Sequence, residues 1–257
     1  MTASGVADLP LVGGHPALDL VNTVEPRLPA AGRHEHLAVP HDLLTWAMRA
    51  GLVNTAEGQA VADAWAASPA AAGRALTAAV QIREALSAVL SAVLPALPPA
   101  PAPGATAPTG PGQQAATPGQ MAAPGLADLS PELEYLSACW AAAAARSRLT
   151  PGTPITLSAP ITLSAPGQAA VRLMVGTSPA LLIPDRVAHA AVGLLCDTGL
   201  TNLRTCPVEE GGCGWVFIDH SRNRSRRWCI MAGCGTHAKA RRLTERRRAA
   251  RTSYRSN

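Results

Sequence analysis

Lysine is nearly absent from this chain. Lys239 is the single lysine among 22 basic side chains, so richness in arginine carries no functional meaning by itself. Aromatic residues make up only 3% of the 257 positions, although hydrophobic residues reach 47%. Much of that apolar content is alanine, which predicts a helical core built from small side chains. No basic segment followed by an apolar run opens the sequence, so no signal peptide is expected. The longest apolar stretches are interrupted by Pro95, Pro98 and Asp185-Arg186 before they could span a bilayer. These absences predict a cytoplasmic protein without a membrane partner, in a compartment where thiols stay reduced.

What is present is unevenly distributed. From Arg204 to the end there are 13 basic and 4 acidic residues, net +9; the preceding chain has 9 and 13, net −4. A uniform preference for arginine cannot create that asymmetry, so the C-terminal part is expected to seek a polyanion. The length suits one sizeable core plus a small module. The fold expected is mainly α with a small β-hairpin. Residues 1–203 would form an α-rich domain, and 204–257 a small metal-binding module ending in a basic helix.

Within the first unit, His15, Asp19 and Asn22 are spaced four and three apart and would share one helix face. They could line a polar pocket, or serve as local caps and a buried polar contact; the second role is the commoner one. A short helix is predicted over 41–52, with Asp42 as its N-cap, and further helices over 57–67 and 73–94. In the last of these Arg83 and Glu84 should flank the apolar stripe, paired or solvated. Residues 95–125 are rich in Pro, Ala and Gly and carry no charge, which predicts a disordered insertion. Ser130-Pro131-Glu132 should start a helix reaching about Leu149, with Cys139 as a buried apolar residue. A tandem copy follows, Pro154-Ile-Thr-Leu-Ser-Ala and Pro160-Ile-Thr-Leu-Ser-Ala. It should lengthen one strand or loop of a hairpin with 170–175. Ser178-Pro179 then opens a helix towards Gly199.

The chemistry concentrates between Cys206 and Cys234. Six residues separate Cys206 from Cys213, four separate Cys229 from Cys234, and fifteen lie between the pairs. Close pairs of thiolates are how a small module supplies the four ligands of a structural zinc ion, and glycines around Cys213 allow the tight turns. Such a quartet is closed to substrate, which argues against a zinc hydrolase. His220 and His237 should remain free of the metal. Trp215, Phe217 and Trp228 should cover the metal as a minicore, although aromatic rings can also stack on bases. Arg222, Arg224, Arg226 and Arg227 crowd the loop between the pairs. Lys239, Arg241, Arg242, Arg246 and Arg247 recur along a helix-favouring tail. That density predicts salt-sensitive contact with nucleic acid.

The run Trp215-Val-Phe-Ile-Asp219-His-Ser221, followed by Arg226-Arg227-Trp228-Cys229-Ile-Met231-Ala-Gly-Cys234-Gly235, resembles the CGNR zinc finger of bacterial regulators. Thr236-His237 stand here where the signature has Asn-Arg, and the first cysteine pair is wider. Leu11-Val-Gly-Gly-His15-Pro-Ala-Leu-Asp19-Leu-Val-Asn22-Thr-Val resembles the opening of the ABATE domain, the usual N-terminal partner of that finger. The resemblance implies a regulator; with the charge and the metal site it points to a DNA-binding transcription regulator, whose N-terminal domain could sense a small-molecule ligand. A zinc-stabilised RNA- or ribosome-binding protein would use the same charge. An enzyme built on the His15/Asp19/Asn22 face comes last, because no nucleophile–base pair or phosphate loop accompanies it.

Overall fold

In the computed structural model the described residues are 5–26, 34–96, 126–151 and 171–255. They form seven α-helices and three two-stranded antiparallel sheets. The helices are α1 (Pro16–Val21), α2 (Pro40–Arg49), α3 (Thr55–Ala67), α4 (Pro69–Val93), α5 (Ser130–Ala145), α6 (Leu182–Leu195) and α7 (Thr236–Arg255). The strands pair as β1 (Val24–Glu25) with β2 (His34–Glu35), β3 (Arg148–Pro151) with β4 (Val171–Met174), and β5 (Leu203–Thr205) with β6 (Val216–Ile218).

Local chemistry sets the helix starts. Asn54 and Glu57 cap α3 reciprocally, each side chain bonded to the other's backbone amide at 2.9 Å. Ser68 caps α4, and Pro69 takes the first helical position, where no amide hydrogen is needed. Asp42 is not the N-cap of α2. It lies in the first turn and accepts from the amides of Ala38 and Val39, both at 3.0 Å. Ser130 likewise opens α5 from inside the helix, after Leu129.

The long helix α4 is the hub of the helical layer, packed against α1, α2, α3, α5 and α6. By length and composition alone this helix could cross a membrane. Its buried face instead carries Ala75, Ala79, Ile82, Leu86 and Leu90, with a buried, bonded arginine in its middle. That arginine corrects the expectation of a flanking side chain. Arg83 is 1% exposed and grips Glu35 of β2 through both terminal nitrogens at 2.7 and 2.6 Å. It also reaches Thr23 at 3.0 Å and Glu84 at 2.7 Å. A guanidinium so enclosed is tolerated because its donors are met in bidentate geometry.

Two more ion pairs fasten α6. Arg186 bonds Glu57 of α3 at 2.5 and 2.7 Å, and Arg146 after α5 bonds buried Asp185 at 2.9 and 2.5 Å. The expected hairpin is present, but α5 ends earlier than expected. The last turn expected of α5 is strand β3, so β4 pairs with residues before the tandem copy. The copy itself and 97–125 lie outside the described residues.

Candidate metal centre

The module after α6 is built on the β5–β6 hairpin. Cys206 follows β5, and its amide donates to Trp215 O at 2.8 Å, so the hairpin brings the first cysteine pair together. Gly212 makes the approach possible: a Cβ there would stand 2.6 Å from Cys206 Sγ and 2.7 Å from Pro207 O. Cys229 leaves the knuckle after Trp228, and Cys234 sits in a π-turn, Met231–Gly235, that runs into α7.

All four sulfurs lie within 4.8 Å of one another. Cys213 and Cys229 are 3.4 Å apart, and Cys229 and Cys234 3.7 Å. A tetrahedral ion with sulfur bonds of about 2.3 Å needs sulfurs about 3.8 Å apart, so the quartet fits a metal ion. Contact with the Cys213 and Cys229 thiols pulls Cys206 down to about 2, while the same contacts push Cys213 and Cys229 up. Burial raises Cys234. One thiolate beside three thiols held protonated is an arrangement from which a bound cation would release protons as the sulfurs became ligands. Among the described residues the cluster consists of these cysteines alone. His220 packs against Gly14, and His237 is exposed in the first turn of α7.

Trp215, Val216, Phe217, Ile218 and Trp228 are all buried and continuous with the helical core. The aromatic rings therefore pack as a core and are not presented to bases. Asp219, also buried, accepts from the amides of Ser221 and Arg226 at 2.8 Å each. Burial pulls its carboxyl upward, but these hydrogen bonds outweigh it and hold the carboxyl below its ordinary value.

Two residues of the His15/Asp19/Asn22 face, Asn22 directly and Asp19 through Gly13, fasten this module. Even-numbered positions of β6 turn their backbone away from β5, leaving an open edge. Asn22 closes it with both ends of its carboxamide: Nδ2 donates to Val216 O at 2.8 Å and Oδ1 accepts from Val216 N at 2.9 Å. Ile218 N donates to Gly13 O at 2.9 Å, completing the edge. Asp19 holds the Gly13 loop by accepting from its amide at 2.8 Å. His15 caps α1, accepting from Ala17 N through Nδ1 at 3.2 Å.

Burial lifts Asp19 to about 6, against hydrogen bonds from Gly13 and Val12 that pull it down. A carboxyl at about 6 when folded and 3.8 when free destabilises the fold above pH 6, and that penalty fades as protons bind between about pH 6 and 4. Relative to Asp19→Asn, the wild type is expected to gain about 2 kcal/mol of unfolding free energy between pH 7.5 and 4.5. Denaturant melts of both proteins at the two pH values check this; a constant difference would show that Asp19 titrates normally.

The predicted basic residues divide. Arg226 turns inward, donating to Trp228 O at 3.1 Å and to Cys229 O, with its guanidinium 4.4 Å over the Phe217 ring. Arg222, Arg224 and Arg227 are exposed, as are Lys239, Arg241, Arg242, Arg246 and Arg247 of α7. After Ala238, which is 1% exposed, every described side chain of α7 to Arg247 faces solvent. Glu210 bonds both Arg227 and Arg242, placing loop and helix on one basic surface. The only sequence signal for Glu210 is the extra length between Cys206 and Cys213, and residue types alone do not single it out.

A cavity of about 390 Å³ opens between α4 and the hairpin, lined by Val21, Leu90, Leu94 and Val216, with Ser87 and Ser91 among its polar groups. The CGNR zinc finger model matches residues 202–247. The ABATE model, described as "Putative stress-induced transcription regulator", matches residues 14–198. No curated protein and no solved structure matches the chain.

Proposed function

Since the chain belongs to the ABATE family, we propose that it is a zinc-binding, DNA-binding transcription regulator. The observation that carries this reading is the single basic surface joined at Glu210. Loop arginines 222, 224 and 227 stand beside a solvent-surrounded helix bearing Lys239, Arg241, Arg242, Arg246 and Arg247. An α-helix fits the major groove of duplex DNA, and cations on such a helix release counterions from the phosphates they meet. Zinc is the ion that suits four thiolates in a closed tetrahedron, and its work here is structural. Cys206, Cys213, Cys229 and Cys234 hold it; held there, it fixes the hairpin, the knuckle and the start of α7 in one geometry. The reducing cytoplasm keeps those thiols available.

The helical layer then serves as the sensory part. The cavity between α4 and β6 is where a small apolar ligand would touch both units, beside the Asn22 clamp. We assign no catalytic role to His15, Asp19 or Asn22, since His15 Nδ1 caps α1, Asp19 holds Gly13 and Asn22 closes the β6 edge.

Changing Arg241, Arg242, Arg246 and Arg247 together to Ala is the test. Affinity for duplex DNA is expected to fall, and the slope of log K against log salt to become shallower by up to about 0.9 for each phosphate that is no longer neutralised. Metal content should not change, because none of the four is a ligand. Unaltered affinity and slope would mean that these arginines are only solvated. Selection from mixed genomic DNA and total RNA decides the nucleic acid; enrichment of RNA alone would favour the RNA-binding reading.

A further inference from the structure

Four acidic residues lie in the basic module: Glu209, Glu210, Asp219 and Glu245. Asp219 is buried and bonds the backbone of its own loop. Glu245 pairs with Arg241 one turn away on α7, at 3.3 Å. Glu210 differs from both. Its Oε1 takes Arg227 from the knuckle loop and its Oε2 takes Arg242 from α7. Arg241 also donates to the main-chain carbonyl of Glu209, so the same loop gathers three cations.

That loop is held firmly. A turn over Val208–Glu210 ends on Gly211 at φ +96°, and Gly212 N donates to Pro207 O at 2.8 Å, beneath the first metal ligand. The carboxylate therefore has a fixed place, set by the cysteine knuckle. Its surroundings are those of a phosphate site. Two oxygens of one anion each accept from a separate guanidinium, as the two non-bridging oxygens of a phosphodiester would. The Arg227 and Arg242 side chains are each 53% exposed, against 20% for Glu210. Both cations thus face solvent around an anion lying deeper than they do. Exposed pairs of this kind contribute little to stability, whereas a phosphate in the same place adds counterion release. Exchange of one anion for the other is therefore favourable.

We propose that Arg227 and Arg242 form a single phosphodiester-binding cleft, and that Glu210 is an internal phosphate surrogate which nucleic acid must displace. This rests on the nucleic-acid reading above and adds to it an affinity-setting residue within the widened cysteine loop.

The test uses full-length, metal-loaded protein and a labelled 20-base-pair duplex, titrated at several salt concentrations. Glu210→Gln is expected to bind several-fold more tightly than wild type. Its salt slope should stay close to that of the wild type, because in both complexes the same two arginines meet the phosphate. Glu209→Gln removes the same charge one residue away from a side chain that takes no arginine among the described residues, so it isolates the general electrostatic effect and should change little. Adding Arg227→Ala and Arg242→Ala to Glu210→Gln should abolish the gain. Metal content and helicity are measured on every variant, to show that the finger is intact. Weaker or unchanged binding by an intact Glu210→Gln protein would overturn the proposal and make Glu210 a strut for α7. Equal gains from Glu209→Gln and Glu210→Gln would overturn it too. If neither wild type nor Glu210→Gln binds duplex DNA or RNA, the nucleic-acid reading falls, and the surrogate with it.

Discussion

Replacing Cys229 by Ser is expected to remove the metal and, with it, the folded structure of the hairpin and knuckle between about residues 203 and 235. Cys229 is central to the quartet, with sulfur contacts of 3.4 Å to Cys213 and 3.7 Å to Cys234. A serine oxygen is a harder and much less acidic ligand, and neither His220 nor His237 belongs to the cluster as a replacement. The apolar cover is small: Trp215, Phe217, Ile218 and Trp228, with a few aliphatic neighbours. A module of this size folds on ligation, and structural zinc in finger peptides supplies roughly 10–16 kcal/mol of apparent binding free energy. Losing it exceeds what the minicore can supply alone. The helices α2 to α6 should persist, because α4 packs against α2, α3, α5 and α6 through side chains that are not metal ligands. They should melt at a lower temperature, since the module covers α1. Elemental analysis and far-ultraviolet circular dichroism measure both parts. One equivalent of zinc retained in Cys229→Ser would sink the assignment of the quartet.

How much of the molecule is legible in the sequence depends on the distance between partners. The cysteine spacing and the glycines around Cys213 point to the metal site, because each pair closes over four or six residues. The stripe along 73–94 marks the buried side of α4, and Ser68-Pro69 stands at its start. Arg83 looks like a flanking side chain because its position borders that stripe. Its partner, Glu35, lies 48 residues back, on a strand only two residues long that no periodicity could reveal. The strand β3 is hidden for a different reason. Five alanines before Arg146 extend any helical reading, and the β-branched tandem copy draws the strand assignment to itself.

The basic residues show the same limit. Composition places thirteen cations from Arg204 onward without saying which face solvent. Arg226 has the same local setting as Arg227, yet one lies over Phe217 and the other beside Glu210. What separates them is the path of the chain after Asp219, whose carboxylate accepts the Arg226 amide and fixes which way each side chain leaves the loop.

Asn22→Ala should be strongly destabilising, although Asn22 is no metal ligand. Asn22 is 1% exposed, and both of its hydrogen bonds go to Val216, 194 positions away. Its carboxamide serves as one peptide unit of a neighbouring strand, so alanine leaves a donor and an acceptor of β6 without partners in a buried place. Each orphaned group costs about 1–3 kcal/mol, giving roughly 2–6 kcal/mol in all. For a chain of this size that corresponds to a fall in melting temperature of roughly 4–24 °C. His15→Ala is the contrast: it removes a helix cap, for about 1 kcal/mol, and leaves β6 paired. Asn22→Asp should resemble alanine, because a carboxylate cannot donate to Val216 O and would carry charge into the seam. Zinc stoichiometry should survive in all three, since each variant keeps all four cysteine ligands. Thermal melts of the metal-loaded proteins order the variants. Asn22→Ala melting within a degree of His15→Ala would show that water replaces the carboxamide, and that the seam is held by its apolar packing and the Gly13–Ile218 bond instead.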